Sequence, residues 1–465
     1  MRGDIIFTYS ICKGSESMLD ERKKHAASEA PKPAVKAVKT SPDAYGDELD
    51  VPRRADRPAA VRTKAPAGKK KKGKKKRRGL TKLFGGLSRA KVQIARSTDS
   101  RRRFRGVMVG SHLIGLWWFV ALAVIVALAV GIRMSNGNAT VDQQQVTIVG
   151  LSGDLEGFRM LVISDLNGKR FGDRQSALMR TINNLSYDAV FLLGDMVGRG
   201  GDPEPLYELI ESLPKSKPIY FICGDSDPGP YLKAPRDITG TLRQLVLEDW
   251  ILGAIERGAV YVDSPVDLPV GQSHLWITPA TLLNMDAGEL QDTWRAQTEQ
   301  EKEGVLSGLE SDYTSLPLTT YRTRIAENLY AAVGSIAQDD FVLCLSHEVP
   351  ADKTIETASG YTSSDDKFMN APELVLAGHY CGGVWRIPGY GAFYIPDRML
   401  PRSGWFPAQT RAQGLSSVGV SQVYITGGLS TNADVRVMPF RLGNSPQISL
   451  LTLTATLPEN MLEAG

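Results

Sequence analysis

The sequence predicts an α/β domain carried behind a cationic tail and one apolar helix. Three observations carry that reading: a charge asymmetry between residues 1–106 and the rest, an uncharged apolar run from residue 107, and a strand–helix alternation from residue 146.

The chain has 465 residues, enough for two or three parts. Its net charge of +4 conceals a split. Residues 1–106 hold 30 Lys+Arg against 11 Asp+Glu, which leaves 25 against 40 in the remainder. Such a division points to two compartments or two roles. Residues 1–106 are rich in Lys, Ala, Pro and Ser without a sustained apolar period, and read as a disordered basic tail. The runs Lys69 to Arg78 and Arg101-Arg102-Arg103-Phe104-Arg105 are solvated, or bind anionic lipid head groups or nucleic acid. Membrane lipid is the expected partner and nucleic acid is not: the run precedes an apolar segment, and no aromatic residues interleave it.

Residues 107–132 contain no Asp, Glu, Lys or Arg. The stretch Leu113 to Ile132 carries Trp117-Trp118-Phe119 and then Val, Ala, Leu and Ile. About 20 apolar residues span a bilayer as a helix. The run is too long, and too far along the chain, for a cleavable signal peptide. A transmembrane helix is therefore expected over 107–133, followed by a linker over 134–145; the alternative is a buried core helix. Eight Lys/Arg lie between Lys82 and Arg105, whereas after Arg133 none occurs until Arg159. The positive-inside rule makes this a single-pass protein of the cell membrane, with a cytoplasmic N-terminus and an extracytoplasmic C-terminal domain.

That domain is expected over 146–458. Met160-Leu161-Val162-Ile163, Val190-Phe191-Leu192-Leu193, Ile219-Tyr220-Phe221-Ile222, Leu374-Val375-Leu376 and Val423-Tyr424-Ile425 read as buried strands. Leu178, Ile182 and Leu185 lie at helical spacing, as do Leu206, Leu209, Ile210 and Leu213 behind Pro203 and Pro205. Residues 284–337 break the alternation with a charged helical stretch (Glu289 to Leu309) and a second helix (Tyr321 to Ile336), an insertion expected to pack near or over the site. Four cysteines make no disulfide framework in a chain this long. Cys223 and Cys344 sit in apolar runs and read as core thiols. Cys381 alone lies in a glycine-rich loop beside a histidine.

Functional residues of an α/β sheet gather at the carboxyl ends of strands. Here those ends carry Asp165 and Asn167, then Gly194-Asp195, then Gly224-Asp225-Ser226-Asp227, then His347, then Gly378-His379-Tyr380-Cys381-Gly382-Gly383. Each alone is an ordinary turn former, helix cap or scaffold histidine. Five loops with a carboxylate, amide or imidazole donor in one order are not.

This order resembles the calcineurin-like metallophosphoesterase superfamily, whose pattern runs Asp-x-His, Gly-Asp, Gly-Asn-His-Asp/Glu, His, Gly-His-x-His. Gly389-Tyr390-Gly391-Ala392, Tyr424 to Leu429 and Gln447 to Leu453 resemble the closing strands of its membrane-associated bacterial branch. The resemblance implies an α/β/β/α sandwich. It also implies one or two divalent ions, manganese, zinc or iron, bridged by Asp195. One ion would take Asp195, Asp225, His347 and His379; the other Asp165, Asn167, Asp195 and Cys381. Three of these positions depart from the family: Asn167 for His, Asp225 for Asn and Cys381 for His. Ser226 stands where the family has its catalytic His. A thiolate favours softer ions, and a serine is no proton donor at neutral pH.

The implied activity is that of a membrane-anchored, metal-dependent phosphoesterase-like hydrolase acting on a phosphoester outside the cytoplasm. The alternative is a catalytically impaired pseudoenzyme that keeps the fold as a binding or scaffold module. A receptor or transport subunit has only the single span behind it.

Overall fold

The computed structural model describes residues 106–109, 112–135, 137–234, 240–307, 315–360, 367–395, 404–409, 412–431 and 440–455. Apart from Gly106, the basic tail expected over 1–106 lies outside them.

Strands β1 (Gly106–Val109) and β2 (His112–Gly115) pair antiparallel. Helix α1 (Leu116–Ser135) follows, 20 residues long. The helix expected over 107–133 therefore starts at Leu116. Its predicted first turns are strands, where Val107, Val109 and Ile114 are β-branched and prefer extended backbone. Trp117 and Trp118 are 84% and 73% exposed, and the apolar side chains through Val130 remain open. No helix is long and apolar enough to cross a membrane when only residues with described side chains are counted; in α1 these are residues 117–133.

In chain order, β3 (Thr140–Thr147), β4 (Arg159–Ile163), α2 (Ser176–Ile182), β5 (Ala189–Leu193), α3 (Glu204–Ser212), β6 (Ile219–Ile222), α4 (Leu242–Val246), α5 (Asp249–Glu256) and β7 (Ala259–Tyr261) come first. Their strands, with β17 (Gln447–Thr454), form a sheet of order β3-β17-β4-β5-β6-β7. The second series is β8 (Val266–Val270), β9 (Ser273–Pro279), α6 (Ala287–Leu306), α7 (Leu316–Val333), β10 (Phe341–Leu345), α8 (Asp352–Ala358) and β11 (Leu374–Ala377). With β15 (Gly414–Val418) and β16 (Ser421–Ile425) its strands form the order β15-β16-β11-β10-β9-β8. Between these run β12 (Trp385–Ile387), β13 (Gly391–Ile395) and β14 (Gly404–Trp405), a small antiparallel sheet.

Period-two alternation stacks the layers. In β5, Ala189, Phe191 and Leu193 enter a core shared with Phe341, Leu343 and Leu345 of β10. Val190 and Leu192 face the other way, among Leu178, Leu206, Leu209 and Trp250 of the first helix layer. Behind β10, Val342 packs with Leu282, Leu329 and Ala332. The order is helices, sheet, sheet, helices. Phe191 and Leu343 are fully buried, each contributing about 1.5–3 kcal/mol.

One expectation changes, and a second gains detail. Residues 134–145, read as a linker, include most of β3, which pairs in parallel with β17 from Thr140↔Gln447 to Thr147↔Thr454. Gln143, Gln144 and Gln145 suit an edge strand, and a partner some 300 residues away leaves no local signal. The described part of the 284–337 insertion is α6 and α7, with Asp286 capping α6 by accepting from Glu289 N. Leu329 and Ala332 bury against the outer face of the second sheet. Tyr321 and Asn328 bond to Asp263 and Ser264 beyond β7. These helices thus contribute to the fourth layer, and Tyr321 also packs against Tyr231, six residues after Asp225.

Candidate metal centre

Strands β4, β5 and β6 are mutually parallel, as are β10, β11 and β16. Their carboxyl ends deliver Asp165, Asp195, Asp225, His347 and His379 in turn. The turn after each strand must be abrupt. Asp165, Asn167, Asp195, His379 and Cys381 all adopt positive φ, between 49° and 70°. They are five of the nine non-glycine residues with positive φ among those described, so this backbone strain concentrates at the strand ends. Each such residue costs about 1–3 kcal/mol, a cost that structures carry mainly where a site requires it.

Close backbone approach completes the turns. A Cβ on Gly224 would lie 2.2 Å from Asp195 N. Gly428 has φ +64°, and its Cβ would lie 2.5 Å from Asp165 Oδ2. Only glycine fits either position.

Asp195, Asp225, His347 and His379 converge, with one ligand atom from each lying within 4.8 Å of the others. His347 Nε2 is 3.0 Å from Asp225 Oδ1 and 3.4 Å from Asp195 Oδ2. His379 Nδ1 is 3.2 Å from both Asp225 Oδ1 and His347 Nε2. The other nitrogen of His347, Nδ1, lies 2.7 Å from Leu193 O; a proton there leaves Nε2 as an acceptor. Asp195 is fully buried, and His347 and His379 are 7% and 5% exposed, whereas Asp225 opens to solvent.

The electrostatics fit a cation. Burial lowers the His347 imidazole, but Asp195 and Asp225 outweigh it and hold the group well above its usual range. Burial raises the Asp225 carboxyl, yet hydrogen bonds and charge from His347 and His379 keep it far below the carboxylate range. Asp165 is pushed up by burial first and by Asp195, against His347, the Ser164 hydroxyl and His379. Asp165 Oδ1, Asn167 Oδ1, Asp195 Oδ2 and Ser226 Oγ are buried oxygens without a hydrogen-bond partner. Buried oxygens left so are rare in the absence of a ligand. Two carboxylates and two imidazoles can hold a divalent metal ion.

The remaining expected ligands stand apart. Asp165 and Cys381 are outside the four-residue cluster. Ser164 donates its hydroxyl to Asp165 Oδ2. The Asn167 amide donates to Ser430 Oγ at 3.0 Å. Cys381 is buried, and its thiol donates to His379 O at 3.5 Å. Cys344 is buried as expected, while Cys223 is only partly covered.

Sequence reasoning named Asp227 without giving it a role, and missed Arg441. Asp227 accepts from Val197 N, Gly198 N and Gly224 N at 2.8–2.9 Å, tying the Asp195 and Asp225 loops together. Its place two residues after Asp225, in the same strand-end loop, is the signal for that role. Arg441, fully buried, donates to the carbonyls of Cys381, Gly427, Gly428, Ser430 and Asn444. Burial lowers its guanidinium, with Cys381 and Asp165 pulling the other way. Nothing local in Arg441-Leu442-Gly443-Asn444 announces that role.

Residues 158–382 match the calcineurin-like phosphoesterase family. No curated protein matches the chain. Among solved structures, a phosphopantetheinyl hydrolase from Mycobacterium tuberculosis aligns at 13% identity and TM-score 0.29, covering 62% of this chain and 96% of that one. A Thermus thermophilus protein, TT1561, aligns at 13% identity and TM-score 0.28, covering 59% and 90%.

Proposed function

Residues 158–382 form a domain of the calcineurin-like phosphoesterase family, and from that premise we propose that the chain is a membrane-anchored, metal-dependent hydrolase of phosphoesters. The observation that carries the proposal is the convergence of Asp195, Asp225, His347 and His379 on one point at the strand ends. These residues would hold a first ion, and manganese, zinc or iron suits their oxygen and nitrogen donors. A second ion would fall to Asp165, Asn167, Asp195 and Cys381. A divalent ion in such a site polarises a phosphoryl oxygen and activates a water.

The chain's own residues prepare the site. Asp225, the most open of the four, sets the side from which a phosphoester enters. Ser226 keeps an unpartnered, buried hydroxyl beside it, fit to donate to a phosphoryl oxygen. Its backbone N–H donates to Asp195 Oδ1 at 2.8 Å and fixes that carboxylate.

Anchoring is supported by α1, whose 20 residues rise about 30 Å, the thickness of a hydrocarbon core. The charge flanks favour a cytoplasmic tail against anionic lipid head groups and a domain on the outer side.

A pseudoenzyme remains the second reading. It is favoured by the Asn167 amide and the Cys381 thiol, both engaged with the protein itself. The test is metal content and phosphoester turnover of the purified chain and of Asp195→Ala. Metal-dependent turnover abolished by the substitution supports the hydrolase. Turnover that survives it refutes the hydrolase, and bound metal without turnover on any phosphoester favours the pseudoenzyme.

A further inference from the structure

We infer that the small sheet β12-β13-β14 is a lipid-docking surface that lays the metal-centre edge of the domain on the bilayer; this rests on the anchoring reading above.

The first argument is topological. β17 is antiparallel to β4, and β3 is parallel to β17. The first residue of β3, Thr140, therefore lies at the carboxyl edge of β4, β5 and β6, the edge that bears the site. It is bonded there, with Thr140 N donating to Pro446 O at 2.8 Å. The tether thus enters the domain at the functional edge. From Ser135 to Thr140 the chain takes five steps, at most about 17 Å when extended.

The second argument is that the small sheet adjoins this point of entry. Six residues before Pro446, Phe440 O accepts from Trp385 Nε1 at 3.1 Å. Leu442 bonds to both Val384 O and Arg386 N. The sheet is also joined to the metal loop, because Arg386 Nη1 donates to Gly382 O at 2.7 Å.

The third argument is composition. An unbroken chain of aromatic rings crosses the sheet. Trp385 contacts Phe440, Tyr394 and Trp405, with centroids 5.8–6.4 Å apart. Trp405 meets Phe393 at 5.1 Å, Phe393 meets Phe406 at 4.9 Å, and Phe406 meets Tyr390 at 6.0 Å. These rings are not hidden: Trp405, Phe406 and Tyr390 are 60%, 61% and 47% exposed, and Ile387 is 43%. Phe406 is held at φ +56°, a backbone state that bulky residues rarely adopt. An exposed aromatic patch of this kind marks an interaction surface, and Trp and Tyr are the residues that settle at lipid head-group level. The short tether fixes bilayer lipid as the occupant. The phosphoester consumed would then be one presented at that lipid surface.

The test uses the full chain with Cys12→Ser and Cys223→Ser, carrying Phe406→Cys or, as a second position, Trp405→Cys, each labelled with a small fluorophore. Val149→Cys is the control. Val149 is 97% exposed and follows the far end of β3, at the opposite edge. The probe is quenching by spin-labelled lipid in phosphatidylcholine–phosphatidylglycerol vesicles. Several-fold stronger quenching at 406 and 405 than at 149 is expected. Failure of the chain to float with vesicles would overturn both the anchoring reading and this inference. Flotation with equal, weak quenching at all positions would overturn this inference alone. Label shielding that depends on protein concentration in detergent, without quenching in vesicles, would overturn it in favour of a second copy of the chain.

Discussion

The two sides of the candidate site have opposite characters. On the side of Asp225, His347 and His379, the ligand atoms face one another at 3.0–3.2 Å. On the side of Asp165, Asn167 and Cys381, polar groups are partly engaged with the protein, through Ser164, Ser430 and the His379 carbonyl. Both sides share the same strained strand-end backbone. The contrast teaches that strand ends can share one strained backbone while only one side brings a full set of potential metal donors together. The buried guanidinium of Arg441, held against the Cys381 carbonyl, places a fixed positive charge on the weaker side.

The largest expected effect breaks the stronger side. Asp195→Ala should reduce bound metal to background and abolish metal-dependent turnover, read by elemental analysis and a phosphoester assay. Next comes Arg441→Met. Each carbonyl left without its donor costs about 1–3 kcal/mol, and several share this guanidinium. Even with rearrangement, a loss of at least about 3 kcal/mol in urea unfolding is expected. Asp227→Asn should weaken metal binding by about 10–100-fold with the fold retained, because Asp227 orients ligands without being one. Calorimetric metal titration measures this.

A smaller, pH-dependent effect separates the fold from the site. Glu373 lies at the start of β11, away from the end that carries His379. Burial pushes its carboxyl up to about 7, against the N–H of Val342. The folded value exceeds the unfolded one, so the folded state holds the extra proton. The stability contributed is therefore full below about 4.5 and is lost as pH rises through about 7. Glu373→Gln should flatten the stability profile over that window and leave metal affinity unchanged. The smallest effect is expected from Cys381→Ser, which should leave metal content on the Asp195 side intact. Loss of that ion would mean that the two sides are not separable.

Several elements are legible in the sequence alone. The strands at Met160, Val190, Ile219, Leu374 and Val423 are β-rich apolar runs closed by turn residues, a pattern fixed by neighbours in sequence. Asp195, His347 and His379 were legible because the residue types and their order repeat a family pattern. β3 was not, because its polar edge is stabilised only by β17 at the far end of the chain. The hairpin before α1 was not, because apolarity there speaks equally for strand and helix.

By itself, then, the sequence determined the charge split, the apolar run, the strand–helix alternation and the identity of the strand-end donors. These depend on composition and on spacings of a few residues. Tertiary structure decided which donors meet. It drew Asp195, Asp225, His347 and His379 together and left Cys381 turned to the His379 carbonyl. It also buried Arg441 behind the loops and set the aromatic sheet beside the point where the chain enters the domain. Those outcomes depend on strand pairing and close packing between segments far apart in sequence, for which no short stretch of sequence carries a signal.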